Sequence, residues 1–456
     1  MARLFGTDGV RGVANADITA ELAVDLAVAA AHVLAERGEF AGHRPRAVVG
    51  RDTRISGEFL SAAVSAGLAS AGIEVLDVGV LPTPGVAHLT ASEGADLGVV
   101  ISASHNPMPD NGIKFFARGG LKLDDAVEQL IEERLGEAWE RPLGAEVGRI
   151  IASAGLAARY VDHVVEAGAD FAGRTEPLAG LSIVVDCAHG AASSVGPDAL
   201  SRAGATVHPI NAAPDGTNIN LGAGSTHIDT LSAAVVEHEA DLGVAFDGDA
   251  DRCLAVDSQG EVVTGDEIMG LLALSMKDSG TLYRDTLVAT VMSNLGLHRA
   301  MRAAGIDIVE TAVGDRYVLE AMREAGYTLG GEQSGHLIVS QYGTTGDGVL
   351  TALLAASCVV SQGKPLHELC AGIERLPQVL VNVPSVDKTR VFSDSGLQDA
   401  VSTARERLGD DGRVLLRPSG TEPLVRVMVE ADTDERARTE ADALAAVVAD
   451  RLTLQG

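Results

Sequence analysis

The alternation of short β-branched apolar runs with longer mixed stretches gives the chain a repeating grammar. Residues 46–79 (RAVVGRDTRISGEFLSAAVSAGLASAGIEVLDVG) read strand, loop, helix and then a new strand. Residues 181–210 and 286–314 repeat that order, and the three copies turn from helix to strand through AGIEV, AGATV and AGIDI. Ala-Gly closes a helix because glycine accepts the left-handed exit conformation, and the β-branched run after it starts a strand. A repeated unit of this kind predicts three related α/β domains with mixed sheets and flanking helices. From about residue 371 the pattern changes to strand VLVNVPS, helix LQDAVSTARERL, strands VLLR and LVRVMVEA, and helix ERARTEADALAAVVADRL. Two helices against a short antiparallel sheet predict a smaller α+β domain. The expected divisions are 1–155, 156–257, 258–370 and 371–456, and 456 residues suffice for that many domains.

Composition narrows the partners. Hydrophobic residues make up 46% of the chain and aromatic ones only 3%, so the cores must be built from Ala, Val, Leu and Ile. Base-stacking platforms are then not expected. A formal charge of −29 argues against nucleic acid and anionic membranes, and leaves any anionic ligand to be attracted by local arginines. Cys187, Cys253, Cys358 and Cys370 show no CxxC spacing and read as buried thiols in a reducing compartment. The N-terminus lacks the apolar core of a signal peptide, and no apolar stretch reaches membrane-spanning length. A cytoplasmic protein is expected, with its oligomeric state open and a homodimer among the options.

The candidate chemistry sits in polar loops at strand ends. DLGVAFDGDADR (241–252) runs an apolar strand into Asp247, Asp249 and Asp251. Three acids this close need solvent or a cation between them, and hard oxygen ligands suit Mg²⁺. A solvated acidic turn is the alternative. An EF-hand loop is excluded, because its required Gly and Glu positions hold Arg252 and Ser258. ISASHNP (101–107) follows the apolar run LGVV, which puts Ser104 just past a strand end, where open α/β sheets place ligands. A hydroxyl nucleophile needs that exposure plus a base or a metal; ordinary turn chemistry is the alternative. A serine-hydrolase reading of Ser104-His105 fails, since no G-x-S-x-G elbow is present. In VLLRPSGTEPLVRVMVE (414–430), Arg417, Ser419, Gly420, Thr421 and Arg426 surround a turn that could cradle a phosphate. GGEQSGH (330–336) gathers Glu332, Ser334 and His336, and FGTDGVRG (5–12) adds Thr7, Asp8 and Arg11 in another glycine-rich loop.

With these motifs in this order over nearly the whole length, the chain resembles the α-D-phosphohexomutase family. FGTDGVRG, Gln333 and RPSGTEPLVRV point within it to the branch acting on glucosamine phosphate. The resemblance implies four domains around a central cleft, one polar loop from each. It also implies an isomerase that moves a phosphoryl group between O6 and O1, supplying UDP-N-acetylglucosamine synthesis for the cell wall. Phosphorylated Ser104 would store the phosphoryl group. One Mg²⁺ would be held by Asp247, Asp249, Asp251 and a phosphoserine oxygen, with Arg252 and His105 in support. Glucosamine 1,6-bisphosphate would be the intermediate or activator. Glu332 and Ser334 would hold sugar hydroxyls, and the 414–430 turn would hold the distal phosphate. Lys114, Arg11 and His336 are the acid/base candidates by position; a surface lysine is the alternative for Lys114. The rivals are a glucose or mannose phosphate mutase, a Mg²⁺-dependent phosphatase and a non-catalytic sugar-phosphate binder.

Overall fold

Each sequence repeat folds as a parallel strand–helix–strand unit in the computed structural model, which describes residues 4–6, 8–40, 42–419 and 423–454. The first unit is Arg46–Arg51, Ser56–Ser70 and Glu74–Val80. The second is Ser182–Asp186, Ala192–Arg202 and Thr206–Ile210. The third is Thr286–Thr290, Leu295–Ala303 and Asp307–Thr311. The two strands of each unit pair in parallel. At the three helix exits Gly72, Gly204 and Gly305 have φ of 92°, 106° and 68°, so the Ala-Gly signal marks a backbone that a side chain would strain.

Four sheets result, and each ends a strand in an antiparallel return. In the first, Leu97–Ile101 returns as Asp110–Ala117; in the second, Leu242–Phe246 returns as Cys253–Asp257. In the third, Leu329–Gly331 returns as Leu337–Val339, and in the fourth Arg413–Pro418 returns as Leu424–Glu430. The returning connections carry ASHNP, DGDADR, EQSGH and residues 419–423 respectively. The polar motifs therefore share one topological position. The first three sheets mix parallel and antiparallel pairs, and the fourth is wholly antiparallel in the order 378–384, 424–430, 413–418.

By packing, the chain divides into two compact units: Met1–Val291 with Ile306–Ala371, and Met292–Gly305 with Gly372–Gly456. In the smaller unit, helices Ser395–Leu408 and Asp434–Leu452 share an apolar core with the three-stranded sheet, through Val401, Leu444, Val427 and Val429. Helix Leu295–Ala303 belongs here because the Asn294 amide bonds both the N–H and the carbonyl of Leu376, each at 3.0 Å. The Leu295 N–H also donates to Glu430, which is wholly buried and paired with Arg413.

In the larger unit, helix Gly348–Gln362 is apolar on every side and buried from Gly348 to Val359, as a core helix should be. Gly168 lets helix Ala157–Ala172 approach it, since a Cβ there would meet Leu353 Cδ2 at 1.8 Å. The cores are aliphatic as composition required, with Phe5, Phe116, Phe246 and Tyr160 among the few large buried rings. The four cysteines are free and buried. No described helix is long and apolar enough to cross a membrane.

Asp347 caps the buried helix and sets up a test. Its carboxylate accepts from the Leu350 N–H at 2.9 Å and from the Tyr160 hydroxyl at 2.8 Å. Burial nevertheless raises its pKa from 3.8 to about 6. The buried charge thus costs nothing below pH 3.8, costs more as pH rises towards 6, and then levels off. Asp347→Asn is neutral throughout, so relative to wild type it should gain about 2 kcal/mol between pH 4 and pH 7 in urea unfolding. An equal difference at the two pH values would contradict that titration.

Candidate active site

Ser104 follows the strand Leu97–Ile101 with φ of +53°, a left-handed conformation that a serine holds only under constraint. The constraint is visible. The Ser104 N–H donates to Ser102 Oγ at 2.9 Å, and the Ser102 hydroxyl donates to Asp52 at 2.7 Å. Asp52 also receives Arg54 Nε at 2.9 Å. Arg54 gives its remaining N–H groups to the carbonyls of Ser104, Asn106, Pro107 and Asp110. A guanidinium has five N–H donors, and all of them are spent on this loop and its acid. The Asn220 amide adds bonds to the Ser104 and Asn106 carbonyls at 2.9 and 3.1 Å.

The metal-type loop packs directly on that serine. A Cβ on Gly248 would lie 2.5 Å from the Ser104 carbonyl oxygen, so only glycine permits the approach. The Ser104 hydroxyl donates to Asp247 Oδ2 at 2.5 Å, and His105 Nδ1 lies 3.3 Å from the same hydroxyl. Asp247, Asp249 and Asp251 each offer an oxygen within 4.8 Å of the others, and all three are buried. That burial excludes the solvated acidic turn. Burial, then Asp251 and Asp249, push the Asp247 carboxyl well above the usual range. Asp249 Oδ1 and Asp251 Oδ1 are buried with no hydrogen-bond partner. Two orphaned oxygens and a repelled third acid fit a divalent cation, which prefers oxygen donors of this kind.

Cations surround the cluster. Lys114 is 3% exposed, so it is no surface lysine. Its ammonium lies 2.9 Å from Asp249 and 2.8 Å from Asp8. Burial opposes its charge, but Asp249 and Asp8 outweigh that and raise its pKa. Burial likewise opposes the Asp8 charge, yet Lys114, Lys122 and Arg11 hold its carboxyl well below the ordinary range. Arg11 pairs with Asp8. The Arg252 N–H donates to Asp247 at 3.3 Å, and its guanidinium lies 3.8 Å from Asp251. The Thr83 hydroxyl donates to Asp249 at 2.6 Å.

His336 is buried with Nδ1 3.6 Å from Asp251 and Nε2 3.6 Å from Asp315. Burial disfavours its charge, but Asp251 and Asp315 raise its pKa to about 8. The Gly346 N–H, 3.2 Å from Nε2, favours a bare nitrogen there. Acids on both sides of the ring outweigh that single dipole, so the charged form is favoured near neutral pH.

A cavity of about 410 Å³ opens on this cluster, lined by Asp8, Arg11, Asp251, Arg252, Asp315, Glu332 and His336. Glu332 accepts from the Gly314 N–H at 3.0 Å. Ser334 Oγ is buried without a partner in the same loop. Of the two, Glu332 lies on the cavity wall, where its carboxylate is able to bind a polyol.

In the smaller unit, Arg417 and Arg426 sit directly opposite one another across the antiparallel pair. Like charges so placed destabilise a sheet unless an anion comes between them. Arg426 Nε is buried with no hydrogen-bond partner, and Ser419 is buried with its carbonyl accepting from Lys388 at 2.6 Å. Gly420 and Thr421, like Thr7, lie outside the described residues.

Sequence reading brought out the loops but not what holds them. It did not single out Asp52, Arg54, Thr83, Asn220, Lys122, Asp315 or Lys388. The available signal was GRDTR, a charged pair immediately after the apolar strand at 46–51.

Four family profiles match the chain in order. Those described as phosphoglucomutase/phosphomannomutase, alpha/beta/alpha domains I, II and III, match residues 2–141, 158–260 and 264–376; the C-terminal domain of the same family matches 380–447. A phosphoglucosamine mutase from a Nocardioides species is 62% identical over 454 residues, covering 100% of both chains. A solved phosphoglucomutase/phosphomannomutase family protein from Burkholderia thailandensis shares the fold with a TM-score of 0.81 at 24% identity, covering 99% of each chain. The Aspergillus fumigatus N-acetylphosphoglucosamine mutase, solved with GlcNAc-6P and magnesium, aligns with a TM-score of 0.63 at 18% identity over 99% of this chain and 96% of that one.

The hold of Arg54 on the serine loop can be measured. Arg54→Met strands Asp52 as a buried unpaired acid and should cost about 3–5 kcal/mol in chemical unfolding. Arg54→Lys keeps the charge but loses the fork, so it should fold while activity falls by about 100-fold through misplacement of Ser104. Wild-type turnover in Arg54→Lys would deny the fork that role.

Proposed function

The chain belongs to the phosphoglucomutase/phosphomannomutase family, and we propose that it interconverts glucosamine 6-phosphate and glucosamine 1-phosphate through phosphorylated Ser104 and a 1,6-bisphosphate. It is an isomerase of the phosphohexomutase type. The observation that carries the reading is the Ser104 hydroxyl bonded to one acid of a buried three-acid cluster, two of whose oxygens lack partners. The preference for the amino sugar rests on relatives such as the Nocardioides protein.

In this mechanism Ser104 carries the phosphoryl group. The sugar O1 attacks it, forming the P–O1 bond as the bond to Ser104 Oγ breaks, and the O1 proton passes to a neighbouring base. After the bisphosphate reorients, Ser104 Oγ attacks the 6-phosphate, and O6 leaves with a proton returned to it. Asp247, Asp249, Asp251 and an oxygen of phosphorylated Ser104 would hold Mg²⁺, the cation named with the Aspergillus protein. When bound, Mg²⁺ supplies positive charge against the oxygens of the transferring group. Lys114 and Arg11 add fixed positive charge, and His336, held charged between two acids, is suited to return the proton to the leaving O6. Lys114 is poorly suited to give one up, because its acid partners hold it charged. Glu332 and Ser334 take sugar hydroxyls. Arg417, Arg426 and Ser419 take the phosphate that is not reacting.

Two measurements test this reading. With glucosamine 6-phosphate, Mg²⁺ and a trace of bisphosphate, the 1-phosphate should accumulate without net release of phosphate, and a chelator should stop it. Ser104→Ala should abolish turnover and the single phosphate found by intact mass. Release of inorganic phosphate instead would make the protein a phosphatase, and equal kcat/KM on glucose or mannose 6-phosphate would move it to a sibling specificity. Arg426→Ala should raise KM about ten- to a hundredfold for both the 6- and 1-phosphates, the loss of one charge-assisted bond. Unchanged KM in both directions would remove that turn from the substrate site.

A further inference from the structure

A closed ring of alternating charge runs behind the cavity. Asp8 pairs with Lys114 at 2.8 Å and with Lys122 at 2.9 Å, and Lys122 also pairs with Asp315. Asp315 lies 3.6 Å from His336 Nε2, His336 Nδ1 lies 3.6 Å from Asp251, and Asp251 lies 3.8 Å from Lys114, which completes the circuit. Three acids alternate with three bases, drawn from six separate places in the sequence. Asp8, Asp251, Asp315 and His336 line the 410 Å³ cavity. Lys122 is not among the residues lining that cavity and instead lines two smaller ones, of about 120 and 110 Å³, with Leu123, Asp124 and Arg323.

The position of Lys122 gives it one task that no other ring member shares. It bonds the two acids that hold Lys114 and His336, and it bonds neither of those groups nor the three-acid cluster. Without its ammonium, Asp8 and Asp315 would face each other as like charges at short range and would separate. Lys114 and His336 would follow their partners. Simple docking of strand Leu121–Lys122 against helix Asp315–Ala325 does not require Lys122. Arg316 of that helix pairs with Asp125 and with Glu128 of the helix Asp125–Glu133 that follows the strand, the latter at 3.0 Å, and the residue before the strand, Gly120, is held by the Thr344 hydroxyl, which donates to its carbonyl at 2.6 Å.

We propose that Lys122 is a positioning residue, which fixes the separation of Asp8 and Asp315 and thereby the placement of Lys114 and His336 against the reacting phosphoryl group. The proposal rests on the mutase reading of the cavity. It differs from a purely structural role in what it does to the rate. Groups that hold the substrate, Glu332 and the arginine pair, are untouched by Lys122, so the loss should fall on kcat.

The experiment compares Lys122→Met, Lys122→Arg, the double variant Lys122→Met/Asp315→Asn, and Glu128→Gln as a structural control at the same junction. For interconversion of glucosamine 6-phosphate, Lys122→Met should lower kcat by about 100-fold, the cost of an ångström-scale misplacement. KM should stay within about threefold. Lys122→Arg, still able to bridge two carboxylates, should recover most of the rate. The double variant removes the repulsion without restoring the bridge, so its Tm should recover while kcat stays low. Glu128→Gln should lower Tm with kcat unchanged. In a crystal structure of Lys122→Met, the Asp8 and Asp315 carboxylates should stand further apart than in wild type. A Lys122→Met kcat near wild type overturns the proposal, as does a double variant whose kcat returns together with its Tm. If Lys122→Met fails to fold, the Lys122→Arg and double-variant rates decide by the same criteria. A wild-type chain without mutase turnover would fail the proposed function itself, a result distinct from an active wild type beside an equally active Lys122→Met.

Discussion

Like charges confined away from water dominate this molecule. Asp247, Asp249 and Asp251 hold oxygens within 4.8 Å of one another in the protein interior, and such an arrangement survives only if positive charge is brought to it. Much of the site's layout follows from that need. Lys114 is pulled into the core to meet Asp249, and Asp8 follows to balance Lys114 from the other side. Arg252 and His336 close on Asp251. What remains uncompensated, the orphaned oxygens of Asp249 and Asp251, is the capacity left for a cation. Binding and structure thus draw on the same electrostatic deficit.

Topology explains why such different chemistries can share one chain. Four of the polar motifs, all but FGTDGVRG, occupy the return between two antiparallel strands. The strand before each turn is locked by register to its neighbours, so the motif starts from a fixed point. The turn itself carries no ladder hydrogen bonds that a changed side chain would break. Hydroxyl, carboxylates and polyol binders can be exchanged at that position with little effect on the sheets beneath, whereas the guanidiniums of Arg417 and Arg426 stand on the strands that flank it.

The fold was legible because its signals are local. The Ala-Gly exits correspond to three positive-φ glycines, and the tail's strand–helix–strand–strand–helix order is reproduced element by element. The three-acid cluster was equally legible, since its members lie at alternate positions of one turn. Sequence failed where function depends on pairs far apart in the chain. Arg54 reaches carbonyls from Ser104 to Asp110, Thr83 reaches Asp249, and Lys122 bridges Asp8 and Asp315. No periodicity or spacing records such contacts. The packing of helix Leu295–Ala303 with the smaller unit likewise turns on distant contacts, Asn294 with Leu376 and Leu295 with Glu430. The surface-lysine alternative for Lys114 failed for a related reason: residue type predicts exposure, and three distant acids overrule it.

Arg54 has one consequence for the energy profile of catalysis. A phosphate ester on Ser104 adds nearly two negative charges to a loop whose carbonyls from Ser104 to Asp110 are already gripped by a single guanidinium. The backbone cannot recoil from that charge. Charged and uncharged forms of the loop would be held to one geometry, with the difference between them borne by the surrounding ions. In the mechanism proposed for Ser104, little reorganisation energy would then be lost when the phosphoryl group departs or returns. A site that must donate to one oxygen and accept from another in alternation benefits from that indifference, because neither direction starts from a relaxed trap.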